Sequence, residues 1–160
     1  MALSFKQNKN VQSRSAVIAK LKKYHNLMVS VADQYERLVR LRETVSTPRR
    51  SELTGMPKSH SPEGYDYKQV ELVYLESEYE EALKSLQAER EAFTALVSQL
   101  ESGYEAKVIR LRYYDWMEWK DVSFEMFGDH VDYNDKEESY IRRTHKIHES
   151  ALNKLSDHSA

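Results

Sequence analysis

VIAKLKKYHNLMVSVADQYERL, residues 17–38, decides the fold. Within it Val17, Leu21, Tyr24, Met28, Val31, Tyr35 and Leu38 follow one another at alternating steps of four and three. A helix turns once in about 3.6 residues, so this spacing lines the apolar side chains along one narrow stripe, a heptad seam. A strand would instead alternate every second residue. A second stretch repeats the pattern: Leu72, Leu75, Tyr79, Ala82, Leu86, Glu89, Phe93, Leu96 and Leu100 step by three and four. Only Glu89 interrupts the apolar row, and Leu83 and Val97 widen it.

The breakers agree with this reading. The three prolines are Pro48, Pro57 and Pro62, and the four glycines are Gly55, Gly64, Gly103 and Gly128. Five of these seven fall between 48 and 64. Gly and Pro cost about 1 and 3 kcal/mol in a helix interior, so long stretches without either suit helices. The spacing predicts two long helices over about 11–45 and 67–102, joined by a loop at 46–66. An all-β chain would need turn residues at short intervals, and they are absent. The fold class expected is all-α: a long antiparallel coiled-coil hairpin over 1–103, then a small three-helix helix-turn-helix domain over 104–160.

Composition removes whole classes of function. There is no cysteine, which excludes a disulfide scaffold, a thiolate zinc finger and a Cys nucleophile. Charged residues make up 31% of the chain and no apolar run approaches a membrane span. The opening MALSFKQNKNVQSRS lacks the apolar core of a signal peptide, so a cytoplasmic location in a bacterial host is the expectation.

A formal net charge of −2 hides a division along the chain. Residues 1–50 carry a net +8, residues 51–104 a net −7 and residues 105–160 a net −3. Either the basic block contacts nucleic acid, or the two seam helices attract each other. Charged side chains usually flank a seam in solvent, and that is the reading adopted for residues 1–50. So narrow a seam leaves both helices partly uncovered, which predicts a homo-oligomer, a dimer in its simplest form, through the hairpin.

From residue 105 the heptads stop. Residues 106–114 read as a short amphipathic helix, 115–118 as a turn and 119–127 as a second helix ended by Gly128. After the polar stretch DHVDYND, a last helix is expected from about Lys136 to Leu155. Ile141, Thr144, His148, Ala151, Leu152 and Leu155 share one stripe of it. Trp119, Val122, Met126, Leu111, Leu152 and Leu155 are the expected core, with Tyr113 beside them. Three short helices with the longest last is the plan of a helix-turn-helix.

The stretch VIRLRYYDWMEWKDVSFEMFG, residues 108–128, resembles the opening of region four of bacterial sigma factors. More closely, it is similar to the ArpU/RinA-type phage transcriptional regulators. In those proteins an Arg-Tyr pair ends one helix, an acidic turn leads to a Trp that opens the next, an Ile or Val stands three positions on, and a Gly follows. Here these are Arg112-Tyr113, Asp115, Trp119, Val122 and Gly128. His148, Ala151, Leu152 and Leu155 match the family's final helix, and Gly55-Met56-Pro57 matches an element of its loop. The resemblance covers roughly residues 18–157. It departs at the turn before the last helix, which is longer and acidic, with Asp129, Asp132, Asp135, Glu137 and Glu138. Trp116 also replaces a residue that is commonly small.

The resemblance implies a phage or prophage DNA-binding regulator, an activator of late genes, with double-stranded DNA as partner and host RNA polymerase as a further candidate. On a last helix starting near Lys136, the face opposite the apolar stripe carries Ser139, Arg142 and Lys146, flanked by Arg143 and Lys136. Arg142 is the expected base contact, to guanine. Lys146, Arg143 and Lys136 are the expected phosphate contacts.

No enzyme chemistry, cofactor or metal is expected. His145 and His148 are spaced i, i+3 but lack further ligands of matching placement. The Asp/Asn-rich 132–143 fails the calcium-loop pattern, because Glu137 stands where Gly is needed and Arg143 where the closing Glu is needed. No phosphate-binding Gly-x-x-x-x-Gly-Lys loop is present. Trp116 and Trp119 fit core anchors better than base-stacking platforms. Two alternatives stay open: a DNA-packaging adaptor of small-terminase type, and a protein-interaction factor whose helix-turn-helix no longer binds DNA.

Overall fold

The computed structural model describes residues 2–46 and 63–158, with side chains over 12–46 and 67–157. These residues form five helices and no strand: α1 Ala2–Ser46, α2 Glu63–Val97, α3 Gly103–Tyr113, α4 Trp119–Phe127 and α5 Glu137–His158. The chain is all-α, with a long first helix packed on a second. Residues 47–62, and with them Gly55-Met56-Pro57, lie outside the described residues. At the margins of the expected loop the helices run further than predicted, since Ser46 and Glu63–Asp66 are helical.

α2 stops at Val97, short of the predicted 102. The Ser98 hydroxyl donates to the Ala95 carbonyl at 2.7 Å, and the amides of Gln99 and Leu100 bond three residues back, to Leu96 and Val97. A serine that bonds its own backbone competes with helix propagation, and three-residue spacing tightens the last turn.

Contacts divide the chain into two compact units, 27–87 and 1–26 with 88–160, and the expected boundary at 103 lies inside the latter. In the 27–87 unit, Val31 and Leu38 are buried on α1. Tyr35 meets Tyr79 with ring centroids 5.7 Å apart, and Arg42 donates twice to one Glu76 oxygen, at 3.1 and 2.8 Å. As numbers rise from 35 to 42 on α1, partners fall from 79 to 76 on α2, an antiparallel pairing. The spacing predicts Leu21, Met28, Tyr79 and Leu86 buried at the seam, and the last three need correction. Met28 is 37% exposed and Tyr35 49%, and Tyr79 and Leu86 are only half-buried. Two helices share one line of contact, and side chains at its edge have no third element to cover them.

Within the other unit the two helices do have further elements packed on them. Residues 12–26 of α1 and 88–97 of α2 lie in it with α3, α4 and α5, and Val17, Leu21 and Tyr24 are buried there. Tyr24 packs on Phe93 at 6.2 Å and stacks on Tyr114 at 4.8 Å. Lys23 pairs with Glu89, the one break in the α2 row, and Arg14 pairs with Glu149 of α5 at 3.2 Å. Val122, Leu152, Leu155 and Tyr113 are buried as predicted, whereas Leu111, Trp119 and Met126 are half-buried. Val108 and Ile109 on α3 and Phe127 on α4 complete the core. No described helix is long and apolar enough to cross a membrane.

Candidate functional site

α3, α4 and α5 are tied at one corner by four side chains. Arg112, on the last turn of α3, donates to the Met117 carbonyl at 2.6 Å and lies 5.1 Å over the Trp119 ring. That bond fixes the α3–α4 turn, and the cation–π contact places the first residue of α4. Tyr113 reaches α5, its hydroxyl 3.0 Å from Nε2 of His148. Trp119 also meets the His145 and His148 rings, at 4.3 and 4.8 Å. The Arg-Tyr pair, Trp119 and His148 therefore act together as a structural clasp. Burial, then the charges of His145 and Arg112, pushes His148 down to about 4, so its imidazole is neutral at pH 7.

Within the α3–α4 turn, Trp116 holds φ at 56°, a left-handed conformation that costs a non-glycine residue about 1–2 kcal/mol. It lets the Met117 amide return to the Leu111 carbonyl at 3.0 Å. The Trp116 ring lies parallel on His25 of α1, with centroids 3.8 Å apart and planes 2° from parallel. Face-to-face stacking there explains a large residue where a small one would ease the turn.

The α4–α5 turn is a packed structure rather than a free acidic loop. Gly128 opens it, and a Cβ there would lie 2.6 Å from the Phe124 carbonyl oxygen, so glycine is required by close approach. Tyr133 is buried, edge-on to Phe124 and stacked on Tyr140. Asp132 accepts from Lys136 at 2.8 Å and from the Tyr140 hydroxyl at 2.7 Å, and these two bonds hold its carboxyl down at about 2. Glu137 pairs with Lys120 of α4 at 3.1 Å. Much of the turn's negative charge is thus matched locally.

The predicted site residues are all exposed, but they are not equivalent. Lys136 lies in a 3-10 turn, Asn134–Lys136, ahead of α5 and bonds Asp132, so it is not on the helix face assigned to it. Arg142 pairs with Glu138 at 3.2 Å, one turn earlier on α5. Arg143 places its guanidinium 4.9 Å over the Phe127 ring. Ser139 and Lys146 have no ion-pair partner among the described residues. At 100° per residue, Ser139, Arg142 and Lys146 lie opposite the core line of Thr144, Ala151 and Leu155.

Glu105 went unnoticed in the sequence. It is buried in the first turn of α3 and accepts from Ser150 at 2.7 Å and Lys154 at 2.8 Å of α5. Burial pushes its carboxyl up, but the bonds from Lys154 and Ser150 and the Lys154 charge outweigh that, so it stays below its ordinary value. Its place three residues after Ser102, at a helix start, is the only signal that could have marked it. Among the described residues no group of three or more His, Asp or Glu side chains could hold a metal ion. Compared with protein-family models, with curated proteins and with solved structures, the chain matches none.

Proposed function

We propose that this chain is a DNA-binding transcriptional regulator of phage or prophage origin, an activator of late genes, that docks α5 in the major groove. The observation that carries the reading is the exposed α5 face of Ser139, Arg142 and Lys146, set on a three-helix core by the Arg112–Trp119 and Tyr113–His148 contacts. Arg142 reads a base from the first half of the helix, and Arg143 and Lys146 neutralise phosphates. The phage origin and the contact with host RNA polymerase rest on the family resemblance over roughly residues 18–157 alone.

The 27–87 unit fits a self-association role. Tyr67, Val70, Val73 and Tyr74 on α2 are 62–70% exposed, with Met28, Val29 and Tyr35 of α1 also in solvent. A second copy of the hairpin would cover them, and a dimer reads two half-sites. A ring of many subunits would instead favour the packaging adaptor, and solution mass separates the two.

One observation favours the interaction-factor reading: Lys136 and Arg142 are each matched by a carboxylate one turn away. Both pairs are exposed, and such pairs are worth only about 0–1 kcal/mol, so the Glu138 pair does not keep Arg142 from a base. Binding of the full chain to duplex DNA at two salt concentrations tests the proposal. Affinity that falls steeply with salt is expected, and no binding at either concentration overturns it.

A further inference from the structure

A cleft of about 410 Å³ opens between the start of α3 and the middle of α5. Arg143 and Lys146 line one side of it, and Ser102 and Tyr104 the other. Its acid, Glu105, is 6% exposed and already bonded by Ser150 and Lys154. Arg143 and Lys146 form no ion pair among the described residues, in contrast to Lys136 and Arg142. The α5 cations without a carboxylate partner are therefore the two that share one cleft. Arg143 is held there by its position over Phe127, and Tyr104 stands 62% exposed at the rim.

We propose that this cleft binds a phosphodiester, with Arg143 and Lys146 neutralising the phosphate and the Tyr104 ring packing on the adjoining sugar or base. A planar guanidinium grips phosphate oxygens through paired N–H donors, and a neighbouring ammonium adds a second charge. At 100° per residue Arg143 and Ser150 lie on the α3-facing flank of α5, while Arg142 lies opposite the core. Arg143 then draws the phosphate to one flank while Lys146, on the same face as Arg142, shares it, and the captured phosphate fixes the register in which Arg142 meets a base. This assignment rests on the DNA reading for the source of the phosphodiester, though not for its chemistry.

The test is nuclear magnetic resonance titration of the ¹⁵N-labelled full chain with two probes, a short duplex and the dinucleotide thymidylyl-thymidine. Both are expected to shift the amides of Ser102, Tyr104 and Ser150, and Arg143→Gln with Lys146→Gln should abolish those shifts. The same double variant should lower the salt slope of duplex binding by about 2 units, whereas Lys136→Gln should leave it nearly unchanged. Duplex binding that moves only the Ser139–Arg142 surface overturns the cleft and spares the DNA reading. Dinucleotide shifts at the cleft without duplex binding support the cleft and overturn the DNA reading. No shift at the cleft with either probe overturns the cleft assignment.

Discussion

The Tyr113 hydroxyl and Nε2 of His148 lie 3.0 Å apart and join α3 to α5. His148 titrates at about 4 in the folded chain, against 6.5 for an ordinary histidine. Between those values the unfolded chain binds a proton that the folded chain does not, so stability falls as pH falls from 6.5 towards 4. Glu105 and Asp132, both lowered, add their losses only below the ordinary carboxylate values of 4.5 and 3.8. Between pH 7.5 and 5 the melting temperature should drop by about 4–8 °C, and His148→Gln should flatten that change. Equal slopes in both proteins would remove His148 as the cause.

Trp119 is half-buried but carries the Arg112, His145 and His148 contacts at once. Trp119→Ala should destabilise by roughly 2–3 kcal/mol, below the roughly 3–5 of a fully buried ring. Urea unfolding followed by circular dichroism measures this. A loss under about 0.5 kcal/mol, the scale of a surface change, would mean that the clasp does not hold α4.

Leu21 and Met28 occupy equivalent heptad positions with different burial, 0% and 37% exposed. Leu21→Ala should cost roughly 2–4 kcal/mol in denaturant unfolding. Met28→Ala should cost under about 1 kcal/mol in the monomer, and more where self-association covers it. Equal costs at both positions would contradict the difference in cover.

The heptad rows made the helix pair legible, because steps of three and four leave no other periodic reading for 17–38 and 72–100. They could not show that Met28 stays exposed, since burial there depends on whether a third element reaches the seam. Val122, Leu152 and Leu155 are legible as core from the stripe on α5 and the Trp119 helix, and Tyr113 from the short amphipathic helix before them. The packed turn was not. DHVDYND reads as polar, and only in three dimensions does Tyr133 turn inward onto Phe124 and Tyr140 while Asp132 caps Lys136 and Tyr140. The exposed face of Ser139, Arg142, Arg143 and Lys146 followed from the apolar stripe. Lys136 did not, because a 3-10 turn rather than a helical one precedes Glu137.

Glu138 pairs with Arg142 at 3.2 Å, so under the proposed function it would compete with DNA for that side chain and repel phosphate. Glu138→Gln should strengthen duplex binding by about 0.5–1 kcal/mol, the scale of an exposed ion pair, or about two- to fivefold. Fluorescence anisotropy at fixed salt reads the change. An unchanged or weakened affinity would indicate that Arg142 does not engage the duplex.

Under the proposed function, α5 reads DNA sequence through Arg142. The most direct measurement selects duplexes from a randomised pool with the full chain and then compares the parent with Arg142→Ala on the enriched site and on random DNA. Expected are a defined enriched site, a loss of roughly 1–3 kcal/mol on it and little change on random duplex. No enrichment, or equal affinity of parent and variant for the enriched site, would contradict it.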